Sequence, residues 1–159
     1  MSLLLIRHGS AGDPYQWVGE DVDRPLDARG AAQAGRLANL VSTLFADRSP
    51  TRVLSSRAVR CLQTVGPLCT RLGIRPEVVD YLFEGASRNT TTRIRDLATD
   101  PETSPVVLCS HSDVIHDVVR DLVSDGAAIS GGRECGYASI WELTINGGRI
   151  THARYHPTP

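Results

Sequence analysis

The chain has 159 residues, of which 41% are apolar and 22% are charged, values that are ordinary for a globular protein with a real core. Its formal net charge of -1 provides no global basic field, so we expect neither nucleic acid nor a membrane as a partner. No apolar run approaches the ~20 residues of a membrane helix. The four cysteines lack zinc-like spacing and are interpreted as reduced thiols. We therefore expect one cytoplasmic domain over residues 1–159.

The predicted elements alternate between strands and helices along the chain. Apolar runs predict strands at residues 3–6, 52–55, 77–79 and 106–109. Helical spacing predicts helices after Asp27, over 58–72 with Pro67 as a kink or break, over 89–99, and over 114–123. Residues 9–25 and the glycine-rich stretch 126–132 are interpreted as loops, and 139–155 as a hairpin.

This alternation predicts an α/β fold, a three-layer α/β/α sandwich with a mostly parallel central sheet and helices on both faces. Ligands of such sheets bind beyond the carboxyl ends of the strands. Two pairs of residues lie at such ends: Arg7-His8 follows the first strand, and Ser110-His111 follows the strand at 106–109. The site is therefore expected where these strands end.

The side chains at these junctions suit a phosphoryl group. All 17 basic residues of the chain are arginine, whose planar fork binds phosphate oxygens. Helix N-terminal N–H groups add donors, and an imidazole can attack phosphorus and hold it covalently. Fixed cations can carry the charge of the transition state, so we expect neither a metal nor a cofactor.

Four elements in order resemble those of the histidine phosphatase superfamily, also called phosphoglycerate-mutase-like. They are the tripeptide Arg7-His8-Gly9, the stretch RPLDARGAAQA at 24–34, the pattern S-x-x-x-x-R-x-x-Q-T from Ser55 to Thr64, and the strand before His111. The matches span roughly residues 3–145. The short length and the opening resemble the compact SixA-type branch of phosphohistidine phosphatases most. The region is also similar to the phosphatase domain that some bacteria fuse to Nudix hydrolases.

The resemblance implies a role for each of these residues. His8 would be the nucleophile that forms a phosphohistidine intermediate. Arg7 and Arg60 would bind phosphate oxygens, and His111 would bind the phosphoryl group and stabilise the transition state. Ser112 stands where the family commonly has glycine, and its N–H is still expected to face the phosphate. Gly9 is expected to keep a side chain out of the space where the phosphate approaches the backbone.

The general acid is open between two carboxylates. Glu84 matches the position where many members carry a catalytic glutamate that protonates the leaving oxygen. Asp13, in the loop after Gly9, is the rival, and its alternative reading is a turn aspartate before Pro14. A phosphoramidate leaving group needs less help, so no acid at all is the third possibility. Arg57 lies one turn before Arg60 and is a candidate secondary contact.

The expected function is that of a metal-independent phosphohydrolase, with a phosphate or sulfate ion bound in its pocket. Only residues 84–105 separate the acid-bearing segment from the next strand, which leaves little chain for a lid. An open pocket favours a phosphorylated protein side chain, specifically phosphohistidine, as substrate. A phosphomonoesterase or mutase acting on a small metabolite is one alternative. A non-catalytic phosphoryl-binding module is another alternative, although a module that has lost turnover would usually lack one of the four site residues that are present here: Arg7, His8, Arg60 and His111.

Overall fold

The computed structural model describes residues 1–100 and 105–159, apart from the side chains of residues 87 and 88. Seven strands form a single sheet in the order β3-β2-β4-β1-β6-β7-β5. The strands are β1 (Ser2–Arg7), β2 (Arg52–Ser55), β3 (Glu77–Val78), β4 (Val106–Ser110), β5 (Ala128–Ser130), β6 (Ile140–Asn146) and β7 (Arg149–His156). Only β6 runs antiparallel to its neighbours in this sheet, so the expected, mostly parallel sheet is confirmed.

Four helices cover the two faces of the sheet. They are α1 (Ala28–Leu44), α2 (Val59–Leu72), α3 (Ser87–Thr99) and α4 (Ser112–Ser124). Alternate residues of β1 serve different cores, because successive side chains of a strand point to opposite faces. Leu4 and Ile6 pack in the cluster that includes α1 and α2, whereas Leu3 and Leu5 pack in the cluster that includes α3 and α4. The three-layer α/β/α sandwich is therefore confirmed.

The start of α1 fixes the loop that follows β1. Asp27 caps the helix as predicted, because its Oδ1 accepts the Gly30 N–H at 2.8 Å. Its Oδ2 accepts the Ser10 hydroxyl at 2.6 Å and the Gly12 N–H at 3.0 Å. These bonds hold the pKa of the Asp27 carboxyl below its usual value. One carboxylate thus orders both a helix terminus and the chain segment after His8.

The stretch 126–132 differs from its prediction as a loop. Ala128–Ser130 forms β5, which pairs in parallel with β7. A three-residue edge strand is too short to show an alternating pattern, so no periodic signal in the sequence marks it. Pro67 lies inside α2, which continues to Leu72 as predicted.

The register of the central strands places the predicted junctions side by side. β1 and β4 are parallel neighbours, with Arg7 opposite Ser110. β2 lies on the other side of β4 and is also parallel to it, so the carboxyl ends of β1, β4 and β2 lie side by side. Within the described ranges, no helix is both long enough and apolar enough to cross a membrane.

Candidate active site

His8 and His111 lie next to each other at the carboxyl ends of β1 and β4. The His8 N–H donates to the Ser110 carbonyl at 3.1 Å, which continues the strand pairing by one residue. The two imidazole centroids are 5.4 Å apart, with the rings inclined at 65°. Both side chains are almost fully buried. Residues that are more than 100 positions apart in sequence therefore form one site, as the strand-end rule predicts.

His8 is held as a neutral imidazole with one free lone pair. Its Nδ1 lies 2.8 Å from the Gly9 carbonyl oxygen. A carbonyl only accepts hydrogen bonds, so Nδ1 carries the proton and Nε2 keeps its lone pair. Burial lowers the pKa of His8 to about 3, and the nearby charges of His111, Arg60 and Arg7 act in the same direction. This tautomer is the one that a nitrogen nucleophile needs.

Gly9 is required for a reason other than the expected one. A Cβ at Gly9 would lie 3.1 Å from the Gly30 carbonyl oxygen and 3.2 Å from Gln33 Oε1. The space in front of Gly9 is therefore filled by α1 and is not available to phosphate. The Gly9 N–H donates to Thr64 Oγ1 at 2.9 Å, which ties the loop to α2 as well.

Arg60 is the most enclosed cation of the site, with 2% of its side chain exposed. Its Nη1 donates to the Asp21 carbonyl at 2.9 Å, and its Nη2 lies 3.2 Å from Asp21 Oδ2. Nη2 also donates to Glu84 Oε1 and lies 3.5 Å from His111 Nδ1. These partners fix the plane of the guanidinium beside His111.

Arg7 is held from the opposite side of the site. Its Nη1 donates to the Cys135 carbonyl at 2.7 Å, and its guanidinium lies over the Tyr137 ring, 4.1 Å from the centroid. Planar stacking of this kind orients an arginine without using its remaining donors.

Two buried side-chain donors have no hydrogen-bond partner among the described residues, and both belong to this site. They are Nε of Arg7 and Nε of Arg60. An unpaired buried donor costs free energy, so such groups in a folded protein call for an explanation. An anion bound by both arginines would supply the missing acceptors.

His111 precedes α4 as its N-cap residue, and Ser112 is the first residue of that helix. The His111 Nε2 lies 2.8 Å from Ser56 Oγ. Its Nδ1 faces the site and lies 3.3 Å from Glu84 Oε1. The first N–H groups of a helix lack intrahelical acceptors and can therefore bind an anion. The Ser112 N–H is the first of these in α4, as the sequence predicts for a phosphate contact.

The candidate acids lie in different surroundings. Glu84 contacts Arg60 and His111, and its side chain is 44% exposed. Asp13 is exposed, and its Oδ1 accepts the Tyr15 N–H at 2.9 Å, which is a local turn contact. The structure therefore brings Glu84, but not Asp13, into contact with the predicted site residues.

Arg57 lies at the rim of the site. Its guanidinium stacks on Phe83, 3.6 Å from the ring centroid, and is 3.7 Å from Asp80 Oδ1. The Phe83 ring in turn meets the His111 ring edge-on at 5.7 Å. Arg57 thus reaches the site only through Phe83, one step away from the catalytic candidates.

Three positioning residues were missed by sequence reasoning. Asp21 holds Arg60, Ser56 holds His111, and Tyr137 lies beneath Arg7. Ser56 stands inside the quoted pattern from Ser55 to Thr64, and that position was the available signal. Asp21 begins a three-residue 3₁₀ helix and Tyr137 lies in a turn, and segments this short show no periodicity that would mark them.

The family model of the histidine phosphatase superfamily, branch 1, matches residues 3–92, more than half of the chain. This chain belongs to the histidine phosphatase superfamily. The match contains Arg7, His8, Arg60 and Glu84, and the expected enzyme class, a phosphatase, is confirmed at this level. His111 lies beyond the matched residues.

A curated relative and several solved structures resemble this histidine phosphatase chain. The 8-oxo-(d)GTP phosphatase of Mycolicibacterium smegmatis is 30% identical over 99% of the chain, but the chain spans only 48% of that relative. The protein histidine phosphatase SixA complexed with tungstate superposes with a TM-score of 0.75, 21% identity and coverage of 98% and 94% of the two chains. A mutant phosphoserine phosphatase from Entamoeba histolytica in complex with phosphoserine gives a TM-score of 0.70, 16% identity and coverage of 96% and 95%. These structures confirm the fold of the compact phosphatases.

Proposed function

We propose that this chain is a phosphohydrolase that works through a phosphohistidine intermediate on His8 and needs no metal. The observation that carries the proposal is the pair of unpartnered buried donors, Nε of Arg7 and Nε of Arg60, beside the neutral His8. Two fixed cations whose charges both act on His8 suit the oxygens of a phosphoryl group. The free Nε2 lone pair of His8 supplies the nucleophile.

The proposed reaction has two displacements at phosphorus. In the first, His8 Nε2 forms a bond to phosphorus while the bond to the leaving atom breaks, and the leaving atom takes up a proton. In the second, water attacks the phosphohistidine and returns a proton to the group that protonated the leaving atom, the N–P bond breaks, and phosphate leaves with His8 neutral again. Arg7, Arg60 and His111 stay in place and neutralise the phosphoryl oxygens in both steps.

Glu84 is the proposed proton donor of the first step. It touches both Arg60 and His111, so a phosphoryl group entering the site competes with it for the Nη2 of Arg60. With 44% of its side chain exposed, Glu84 has room to turn outward toward the leaving atom. A phosphoramidate nitrogen is a better proton acceptor than an ester oxygen, so dependence on Glu84 should be weaker for a phosphohistidine substrate.

The proposed substrate class is a phosphorylated protein side chain, with phosphohistidine first. The segment between Glu84 and β4 contains α3, which packs against α4. Ile94 is buried in the core cluster that includes α3 and α4, and Thr91 Oγ1 donates to Asp121 Oδ2 at 2.7 Å. In this position α3 packs into the core of the protein. This arrangement is consistent with an approach to the site that is wide enough for a phosphorylated side chain on the surface of another protein.

Trapping the intermediate tests the role of His8. We expect wild-type protein incubated with a radiolabelled phosphoramidate and quenched in alkali to retain label, because phosphohistidine survives alkali. His8→Asn should retain none, since the amide is not a nucleophile here. A matched control is His116→Asn, an exposed histidine of α4 that should label like the wild type. Equal alkali-stable label in the wild type and His8→Asn would remove His8 from the mechanism.

A nucleotide is the second candidate substrate. The 8-oxo-(d)GTP phosphatase that is 30% identical to the chain favours it. We expect a panel of phosphohistidine peptide, phosphoserine peptide, p-nitrophenyl phosphate, 8-oxo-dGTP and dGTP to rank the phosphohistidine peptide first by kcat/KM. A chelator should leave these rates unchanged, because arginines supply the charge that a metal would otherwise carry. A nucleotide ranked first would instead favour the second candidate.

A further inference from the structure

A loop of residues 12–23, here called the rim loop, borders the site at both of its ends. It begins four residues after His8, where the Gly12 N–H is bound by Asp27 at 3.0 Å. Near its other end, the Asp21 carbonyl accepts from Arg60 Nη1 at 2.9 Å, and Asp21 also pairs with Arg24 at 3.0 Å. The rim loop is therefore held by Asp27 at one end and by Arg60, a catalytic candidate, at the other.

The rim loop exposes large apolar side chains. Tyr15 is 96% exposed, Val18 is 90% exposed and Trp17 is 38% exposed. The Trp17 indole N–H donates to the Glu20 carbonyl at 3.0 Å, so the ring is held in place by its own loop. Three exposed apolar side chains within four consecutive residues, in a loop that Arg60 holds at one end, indicate a surface that binds a ligand.

A cavity of about 250 Å³ is lined by one of these side chains, that of Trp17. Its walls include Trp17 and Leu26, and Asp13 and Asp27 contribute carboxylates. Arg24 also lines the cavity, and its guanidinium is bound by Asp21 and by the Ala11 carbonyl. Most of the exposed lining is apolar, which suits an aliphatic side chain or a long basic side chain whose charged end reaches the exposed carboxylate of Asp13.

The charge of the rim loop selects among possible ligands. Residues 12–23 contain four acidic residues and no arginine, lysine or histidine: Asp13, Glu20, Asp21 and Asp23. Asp21 is engaged by Arg24 and Arg60, whereas Asp13, Glu20 and Asp23 lie exposed. Carboxylates in this density repel the additional phosphates of a nucleotide and attract cationic side chains.

We propose that the rim loop binds the part of a protein substrate that flanks its phosphorylated residue, and that this part carries basic and apolar side chains. The inference rests on the proposed function, because it assigns the substrate's flanks to a surface beside that same site. Apolar contact with Tyr15, Trp17 and Val18 supplies affinity. The exposed carboxylates supply the preference for basic flanks.

Two synthetic phosphohistidine peptides test this proposal, one flanked by arginine and leucine and the other by glutamate and serine. We expect wild-type kcat/KM to favour the basic-apolar peptide by about tenfold, the effect of two or three exposed charge pairs and contacts. The preference should shrink at high salt, because salt screens exposed charges. Hydrolysis of p-nitrophenyl phosphate, which lacks flanks, is the reference rate.

Two double variants locate the preference on the rim loop. Glu20→Lys/Asp23→Lys should abolish the preference, and Tyr15→Ser/Val18→Ser should raise KM for the basic-apolar peptide with little change in kcat. Both pairs are exposed side chains, so the fold is expected to tolerate the changes. Asp47→Lys is the matched control and should keep the wild-type preference. Asp47 lines a cavity with Met1 and Ser2 at the amino-terminal end of β1, whereas the site lies at the carboxyl end of that strand.

Each outcome separates the inference from the proposed function. If p-nitrophenyl phosphate and both peptides are hydrolysed, but without preference, the rim-loop proposal is overturned and the phosphohydrolase stands. Retained preference in both double variants overturns it as well. Loss of activity toward 8-oxo-dGTP, but not toward peptide, in Tyr15→Ser/Val18→Ser would show that the loop binds a purine instead. A wild type that hydrolyses none of the substrates overturns the proposed function itself.

Discussion

His8 and Arg60 show how single side chains acquire function from their surroundings. Burial and nearby positive charge keep His8 neutral, and one backbone carbonyl selects its tautomer. Arg60 gains its orientation from Asp21 and Glu84, which occupy its two terminal nitrogens, while Nε has no partner among the described residues. In both cases the residue type is common, and the partners make it specific.

The lowered pKa of His8 predicts a pH-dependent stability. An unfolded histidine has a pKa near 6.5, whereas that of folded His8 is about 3. Between these values the unfolded chain holds one proton more, so the free energy of unfolding falls as pH falls from about 6.5 toward 3 and is unaffected by His8 above that range. Each additional proton that the unfolded chain binds changes the free energy of unfolding by about 1.4 kcal/mol per pH unit.

Urea unfolding of wild type and His8→Asn from about pH 7 to about pH 4 measures this effect. The variant should lose less stability on acidification, by up to about 1.4 kcal/mol per pH unit. Other titrating groups contribute equally to both proteins and cancel in the comparison. Parallel curves for the two proteins would show that His8 keeps an ordinary pKa in the folded state.

The start of α1 shows how an element positions a site that it does not itself form. Asp27 caps the helix and binds the segment after Gly9, while Gly30 lets the helix lie directly against that segment. A Cβ at Gly30 would lie 2.0 Å from the Ser10 carbonyl oxygen. The contact is with backbone, which cannot rotate away as a side chain would.

Two glycines of α1 therefore give opposite predictions. Gly30→Ala should destabilise the protein by about 2 kcal/mol or more, because a backbone segment must shift. Gly35→Ala, on the same helix with no atom within 4 Å of the new Cβ, should stabilise it by about 0.5–1 kcal/mol through helix propensity. Urea midpoints of the two variants measure both effects. A Gly30→Ala variant as stable as the wild type would refute the close contact.

At the scale of the whole molecule, one sheet links both cores to the site. The carboxyl ends of β1, β2 and β4 meet at one edge because these strands are parallel neighbours. Helices on both faces bury alternate residues of the same strands. Since both cores share the central strands, neither is expected to remain folded without the other.

We predict that residues 1–159 unfold as one cooperative domain. Trp141 is almost fully buried in the core between the sheet and α4, so its fluorescence reports tertiary packing. In the variant Trp17→Phe, which leaves Trp141 as the only tryptophan, fluorescence and far-ultraviolet circular dichroism should give coincident urea transitions. Two separated transitions would instead indicate that the two cores unfold independently.

The sequence by itself determined the α/β class, the four longest helices and the junctions that carry His8, Arg60 and His111. Such features are local, because hydrophobic periodicity and capping act within one or two turns of chain. Only the tertiary structure decided that Glu84 rather than Asp13 meets the site, that Asp21 and Tyr137 hold the arginines, and that Gly9 faces α1. These contacts join residues far apart in sequence, and close packing selects them after the elements have formed.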